Sequence, residues 1–219
     1  MRRLATLLLL FAAPLCGAVE GKFALKVADQ EVGTAVLSLT KLAGGGTLFT
    51  VDLKIEMRGY AMHQRQEDRY DKDSKPVRSH TLTEQGGKKT ERRVVYGKTS
   101  LTDALIDNGK KTAKTVRYPA GKSIAKPSQM WFFISTPMPG AVSRETEYDA
   151  DSSKWVTHER RYVRPTEIEY GGKKIKAYEL HDLDKAKGET VKQWVDGQGL
   201  PFRIEFGNPS QPMTLERIS

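Results

Sequence analysis

Four histidines are the side chains in this 219-residue sequence that are best suited to acid–base or metal chemistry. They are His63, His80, His158 and His181. They lie far apart and lack the paired spacing that zinc sites use. In His158-Glu159 and His181-Asp182 the two neighbours would lie on opposite faces of a strand, so neither dipeptide can bind one ion by itself. We predict that the histidines lie at the surface or rim, with no metal site. A hydrolase that uses a histidine and a carboxylate on the rim remains an alternative.

Other sequence signatures of catalysis are missing as well. The chain has no Gly-x-Ser-x-Gly nucleophile elbow and no phosphate-binding loop. Its carboxylates are spread along the whole sequence, so no pair stands out as an acid–base couple. We therefore predict a non-catalytic protein without a cofactor.

Three adjacent aromatic residues, Trp131, Phe132 and Phe133, are the best candidates for a binding function. They lie in an apolar segment, residues 126–134, in which polar and apolar residues do not alternate. Pro127 suits the first turn of a helix, and later prolines prevent a long one. The segment is therefore predicted to form one short helix packed on or in a sheet.

The predicted helix cannot turn all three aromatic side chains toward one core, because neighbours on a helix are about 100° apart. We predict that one or two of Trp131, Phe132 and Phe133 contact a ligand between the helix and the sheet, and that Tyr60 and Met62 extend this surface. Two alternatives stay open. In the first, all three aromatics belong to the core or form a plugging lid. In the second, the loop at Tyr60 is tucked under the sheet.

The rest of the chain reads as strands separated by turns. Thr47 to Met57 alternates apolar and polar residues, which is the period of a strand with one buried face. Leu200 to Phe206 alternates in the same way after the Gly-rich turn at Asp196. Asn108-Gly109 is a strong hairpin signal. The pattern predicts an all-β, mainly antiparallel fold: a curved meander sheet or a half-open β-barrel, forming one domain over residues 19–219.

The N-terminus, residues 1–18, is predicted to be a cleavable signal peptide. Arg2 and Arg3 precede an apolar run, and small residues follow it at Cys16 to Ala18. The protein is therefore expected in the periplasm. A lipid anchor on Cys16 is disfavoured, because the preceding Leu15 is larger than such a site accepts.

The mature chain carries 34 Lys and Arg against 27 Asp and Glu, which is a net charge of +7. The basic residues are scattered, and many lie beside Gly-containing turns. They are typical of solvated strand tips, although a positive surface also attracts anionic lipid headgroups. Aromatic residues do not alternate with the basic ones as base stacking would need, so we expect no nucleic-acid partner.

A pattern formed by Trp194, Asp196, Leu200, Pro201 and Arg203 is the most specific motif of the chain. With the strands that precede it, it resembles a bacterial periplasmic family of unknown function that is related in fold to the lipoprotein carrier LolA and its receptor LolB. The resemblance covers about ninety residues of the second half. It implies a half-open β-barrel around a short helix, which is exported and non-catalytic. LolA and LolB use such a cavity to shelter acyl chains.

The sequence therefore favours an exported envelope protein that binds a lipid, a lipoprotein acyl chain or another apolar ligand in the concave face of a half-barrel. The alternative is a plugged barrel that serves as an interaction module for an envelope protein or for an anionic membrane surface.

Overall fold

The computed structural model describes residues 17–120, 124, 131–184, 189–208 and 211–218. Residues 1–16 of the predicted signal peptide, including Cys16, and residues 126–130 of the predicted helix lie outside this part. Within it the chain forms fourteen strands and no helix. The strands are β1 (Ala18–Val27), β2 (Gln30–Lys41), β3 (Thr47–Met57), β4 (Tyr60–Tyr70), β5 (Pro76–Gln85), β6 (Lys88–Tyr96), β7 (Ser100–Asp107), β8 (Lys110–Arg117), β9 (Val142–Asp149), β10 (Lys154–Tyr170), β11 (Lys173–Asp184), β12 (Glu189–Val195), β13 (Pro201–Asn208) and β14 (Gln211–Arg217).

All fourteen strands belong to one curled antiparallel sheet, which confirms the prediction of an all-β meander. Their order is β8-β7-β6-β5-β4-β3-β2-β1-β14-β13-β12-β11-β10-β9. Neighbouring strands are consecutive in sequence, except at the centre, where β1 pairs with β14. The edges of the sheet are β8 and β9, which form no ladder with each other within the described residues.

Tight turns join the strands where the sequence predicts them. Asn108 and Gly109 have φ values of 48° and 80° and connect β7 to β8, as a two-residue hairpin turn requires. Gly86 and Gly87 connect β5 to β6 in the same way. Between β12 and β13, the Asp196 carboxylate accepts hydrogen bonds from the backbone N–H groups of Gln198 and Leu200. These local bonds fix the β12–β13 hairpin.

The inner face of the sheet changes from apolar to polar across neighbouring strands. Residues directly opposite each other in a ladder point to the same face. One such row runs from β2 to β6 as Leu37, Val51, Gln66, Thr81 and Arg92. We call the face that carries this row the inner face. Its β2–β3 part is apolar, and its β4–β6 part is polar.

The two ends of the sheet meet through side chains. Tyr148 and Trp155, which are opposite each other on β9 and β10, pack against a cluster around Val94 and Leu101 on β6 and β7. The Trp155 indole N–H donates to the backbone carbonyl of Arg117, at the end of β8 (3.1 Å). We call this contact between β6–β8 and β9–β10 the seam. Side chains, rather than a backbone ladder, hold it together.

The described part of the predicted helix is a turn. Trp131, Phe132 and Phe133 lie in it, and Phe132 has a φ of 65°, which is left-handed backbone that an α-helix excludes. The Phe132 N–H donates to the carbonyl of Ser135 (3.0 Å). The prediction of a short helix is therefore not confirmed over these residues. Within the described part of the chain, no helix is long and apolar enough to cross a membrane.

Candidate functional site

A central cavity of about 450 Å³ lies against the inner face. Its volume falls in the range of small-molecule sites. Its apolar wall comes from β2, β3, β13, β14 and the β12–β13 hairpin: Leu37, Leu39, Phe49, Leu200, Ile204 and Leu215. Its polar wall comes from β4, β5, β6, β9, β10 and β12: Gln66, Asp68, Ser79, Tyr96, Glu147, Tyr148, Arg160 and Gln193. The cavity is therefore amphipathic.

The apolar wall continues into the main core of the protein. Leu37 and Leu200 pack with the buried Phe23, and Ile204 and Leu215 pack against this cluster while facing the cavity. Ile204 and Leu215 are directly opposite each other on β13 and β14. Their half-buried side chains give an apolar ligand a surface that is anchored in the core.

Asp68 lies where the two walls meet, because it is opposite Phe49 in the β3–β4 ladder. Burial raises the pKa of Asp68. Hydrogen bonds from Ser79 and Gln66 oppose this shift, and the nearby charge of Glu147 adds to it, so that the pKa lies above its usual value. The Gln66 amide donates to the Asp68 carboxylate at 2.7 Å.

Tyr96 faces the same carboxylates. Burial raises the pKa of the Tyr96 phenol strongly, and the negative charges of Asp68 and Glu147 raise it further. Its hydroxyl therefore stays neutral at physiological pH. It contributes a hydrogen-bonding group to the polar wall without adding charge.

Arg160 places a buried cation in the polar wall, and its side chain is 10% exposed. One guanidinium nitrogen pairs with Asp182 on the neighbouring strand. The Nε–H group is buried and has no hydrogen-bond acceptor among the residues that the structure describes. A buried donor without an acceptor costs free energy because it has lost its hydrogen bond to water. This group is therefore suited to donate to an acceptor that enters the cavity.

A second cavity of about 560 Å³, which we call the side cavity, lies between the inner face of β4–β7 and the β9–β10 hairpin. Most of its lining is polar. The Glu147 carboxylate lies 2.8 Å from His158 Nε2, and Arg92 is paired with Asp103 through two nitrogens at 2.9 Å. The charged groups at its margins therefore have partners within the protein.

The three predicted aromatic site residues pack into two different clusters. Phe132 is buried and makes an edge-to-face contact with Tyr162, with ring centroids 5.4 Å apart. Trp131 packs against the same cluster. Phe133 instead packs on a cluster with Leu39, and Lys41 Nζ lies 5.4 Å from its ring centroid. The turn thus joins β10–β12 to the β2 side at one end of the rolled sheet.

Tyr60 and Met62 lie elsewhere. They begin β4 beside the β3–β4 turn, where the Tyr60 hydroxyl contacts Met62 Sδ (3.4 Å). Phe133 packs near Tyr70, at the far end of the same strand. An eleven-residue strand is about 35 Å long. The structure therefore does not bring Tyr60 and Met62 together with the three aromatics.

Each histidine lies next to a carboxylate. The Nε2 atoms of His63, His80, His158 and His181 lie 2.8–2.9 Å from Asp52, Glu91, Glu147 and Glu179, respectively. His158 and His181 lie opposite Asp184 and Arg161 in the β10–β11 ladder, so they point to opposite faces of the sheet. Among the described residues, no group of three or more His, Cys, Asp or Glu side chains could hold a metal ion.

The residues that sequence reasoning missed are the polar ones of the inner face. In β4, neutral polar residues on the inner face, such as Gln64 and Gln66, alternate with charged residues on the outer face. The charged residues are Arg65, Glu67 and Arg69. This period-two change from neutral polar to charged residues was a usable signal. An apolar-polar search does not detect it.

No known family matches the sequence, and no curated protein matches it. The structure is similar to the crystal structure of a β-barrel-like protein of a domain of unknown function, DUF1849, from Brucella abortus. The TM-score is 0.63 at 10% sequence identity, over 94% of this chain and 97% of that one. The likeness shows the fold. A protein of the DUF1089 family from Pseudomonas aeruginosa gives a TM-score of 0.40 at 14% identity, over 92% and 95% of the two chains, which is too low to support an argument. The relationship to LolA and LolB stays a prediction.

Proposed function

We propose that this protein is a non-catalytic binding protein of the bacterial envelope that holds an amphipathic, lipid-like molecule in its central cavity. The observation that carries the proposal is the division of the cavity into an apolar wall and a polar wall. An acyl chain would lie along Ile204 and Leu215. Polar atoms next to the chain would face Gln193 and the Nε–H group of Arg160.

The cavity also bears on the alternative of a plugged barrel that only contacts partners. A plugged barrel would have a filled interior, whereas about 450 Å³ is open beside the main core. The turn at Trp131–Phe133 packs at one end of the sheet. None of its three aromatics is among the described residues that line the cavity. We therefore favour binding inside the sheet, with the turn as a structural element at its end.

Export is part of the proposal and rests on the predicted signal peptide, residues 1–18. Part of the affinity for an amphiphile would come from burial of its acyl chain on the apolar wall. Burial contributes about 0.8 kcal/mol per buried CH₂ group. The proposal therefore expects affinity to increase with chain length until the apolar wall is filled.

The proposal is tested by native mass spectrometry on mature protein purified from its own envelope without detergent. A second arm uses delipidated protein titrated with dodecylphosphocholine below its micelle concentration. We expect a bound mass in the acyl-lipid range and saturable binding of one dodecylphosphocholine. Leu215→Gln, in the apolar wall, should weaken binding of the probe at least tenfold.

The matched control is Leu82→Gln, because Leu82 is also half-buried but lies on the outer face of β5, opposite Arg65. It should bind the probe like the wild type. An apo mass together with no saturable binding of dodecylphosphocholine would overturn the proposal.

A further inference from the structure

The side cavity has a wall of uncharged hydrogen-bonding side chains, two of which, Gln66 and Ser79, also line the central cavity. The side chains of this wall are Gln64, Gln66, Ser79, Thr81, Thr83 and Thr90. All six are half-buried and come from β4, β5 and β6. Amides and hydroxyls both donate and accept hydrogen bonds. This wall therefore suits a neutral ligand that carries donors and acceptors in equal measure.

The register places these groups side by side on one surface. Thr81 is opposite Gln66, and Thr83 is opposite both Gln64 and Thr90. Opposite residues in a ladder have Cβ atoms about 5 Å apart and share a face. The groups therefore form a continuous patch two rows deep, rather than isolated polar positions.

Several groups of this patch are available to a ligand. Within the described residues, the side chains of Gln64 and Thr81 make no hydrogen bond or ion pair. The charged groups at the margin are held by partners instead, Arg92 by Asp103 and Glu147 by His158. A charged ligand would compete with these ion pairs, whereas a neutral one would not.

The two cavities adjoin. Four residues line both of them: Gln66, Ser79, Glu147 and Tyr148. A molecule whose chain lies on the apolar wall of the central cavity can therefore reach the side cavity with its polar end.

We infer that the side cavity binds a neutral, hydroxyl-rich headgroup, that is a sugar, of the same amphiphile whose chain occupies the central cavity. The inference rests on the proposed function and specifies its ligand class. A site built from hydroxyls and amides discriminates strongly against a ligand that lacks the matching hydroxyl groups, because its own polar groups then stay unpaired. The ligand is thus a glycolipid.

The test compares three probes on delipidated protein: dodecyl maltoside, dodecylphosphocholine and free maltose, with the two detergents kept below their micelle concentrations. Dodecyl maltoside should bind at least tenfold more tightly than dodecylphosphocholine, which has the same chain without hydroxyls. Thr81→Val removes one hydroxyl at nearly constant volume. The variant should weaken the binding of dodecyl maltoside three- to tenfold and leave the affinity for dodecylphosphocholine unchanged.

Thr102→Val is the matched control, because Thr102 is exposed on β7 and lies opposite Val95 on the outer face. It should change neither affinity. Equal binding of the two detergents, or equal weakening of both by Thr81→Val, would overturn the sugar site while the proposed function stands. Free maltose that binds as tightly as dodecyl maltoside would leave the sugar site standing and contradict the acyl-chain role of the central cavity. Failure of all three probes to bind would overturn both.

Discussion

The Tyr148 hydroxyl of β9 donates a buried hydrogen bond of 2.8 Å to the Asp103 carboxylate of β7, 45 residues earlier in the chain. Asp103 also receives two hydrogen bonds from the Arg92 guanidinium, and Lys114 Nζ lies 3.5 Å away. One carboxylate therefore connects β6, β7, β8 and β9. It is the polar centre of the seam, and its side chain is 1% exposed.

Asp103→Asn is expected to destabilise the protein, because the half-buried guanidinium of Arg92 loses the charge of its buried bidentate partner. Removal of one member of a buried ion pair costs about 3 kcal/mol. We expect a decrease of about that size in the free energy of unfolding at pH 7, measured by urea denaturation. Asp107→Asn, on the exposed end of the same strand, is the control and should change it by less than about 0.5 kcal/mol.

The Asp103 carboxyl should also make stability depend on acid. Burial raises its pKa, but the hydrogen bonds from Arg92 and Tyr148 and the charges of Arg92 and Lys114 outweigh burial and hold the pKa below the usual 3.8. The ionised Asp103 carboxylate therefore stabilises the fold above about pH 4, and this contribution is lost as pH falls through the folded-state pKa. The gap between wild type and Asp103→Asn should shrink below pH 4. A gap that stays constant from pH 7 to pH 3 would contradict this assignment.

Asp68 should behave in the opposite way. Its pKa is raised above 3.8 in the folded protein, so the native state binds the proton more tightly than the unfolded state. Its contribution to stability is present below pH 3.8 and is lost as pH rises through the folded-state pKa. Asp68→Asn keeps the acceptor for Gln66 and removes the charge, and it should raise Tm at pH 7 by about 2 °C.

Calorimetry at pH 7 and pH 3.5 measures the effect of Asp68→Asn, and the gain in Tm should vanish at the lower pH. Glu67→Gln, the exposed neighbour on the outer face of β4, serves as the control at both pH values. A lower Tm for Asp68→Asn at pH 7 would mean that the Asp68 charge stabilises the fold.

Gly199 should tolerate no side chain. Its φ is 87°, and a Cβ there would lie 2.6 Å from the carbonyl oxygen of Trp131. Gly199→Ala is therefore expected to strain the β12–β13 hairpin, displace the aromatic turn and cost more than about 1 kcal/mol of stability. Gly197→Ala, two residues away, meets no atom within 4 Å and should be nearly silent. Similar unfolding midpoints for the two variants would show that the turn does not pack on Gly199.

Phe132 should be the structural residue of the aromatic turn. Its ring lies 5.4 Å from Tyr162 and 4.6 Å from Tyr178, between centroids. Phe132→Ala should cost about 3–4 kcal/mol of the free energy of unfolding, which is typical for a buried ring. Met138→Ala, at a side chain that is 79% exposed, is the control and should cost almost nothing. A Phe132→Ala variant as stable as this control would mean that the ring is not buried in solution.

The parts of the fold that the sequence predicted depend on local chemistry. Thr47–Met57 alternates with period two and is β3 with those same bounds. Asn108-Gly109 supplies the two positive φ values of a tight hairpin. Such signals need only neighbouring residues, so a single sequence contains them.

The candidate site depends on contacts between distant residues, and apart from the alternation of neutral and charged residues in β4 the sequence carries no local signal for it. Nothing near Tyr148 indicates that its hydroxyl meets Asp103. The aromatic run at Trp131 was interpreted as a helix, because the left-handed backbone of Phe132 has no local signal comparable to a glycine. The walls of the amphipathic cavity come from ten strands, so they can be told apart only once the register of those strands is known.

Read from one edge, the sheet runs from β9 to β14 and then, across the pairing of β1 with β14, from β1 to β8. The strand order is therefore the chain order with a different starting point. A circular permutant that joined β14 to β1 and opened between β8 and β9 would pair every strand with its sequence neighbour. The β1–β14 ladder is the pairing with the largest loop-closure cost, since Lys26 and Glu216, which form an ion pair across it, are 190 residues apart. Such a permutant would therefore have a lower contact order. Since lower contact order goes with faster folding, the permutant should fold faster than the natural strand order.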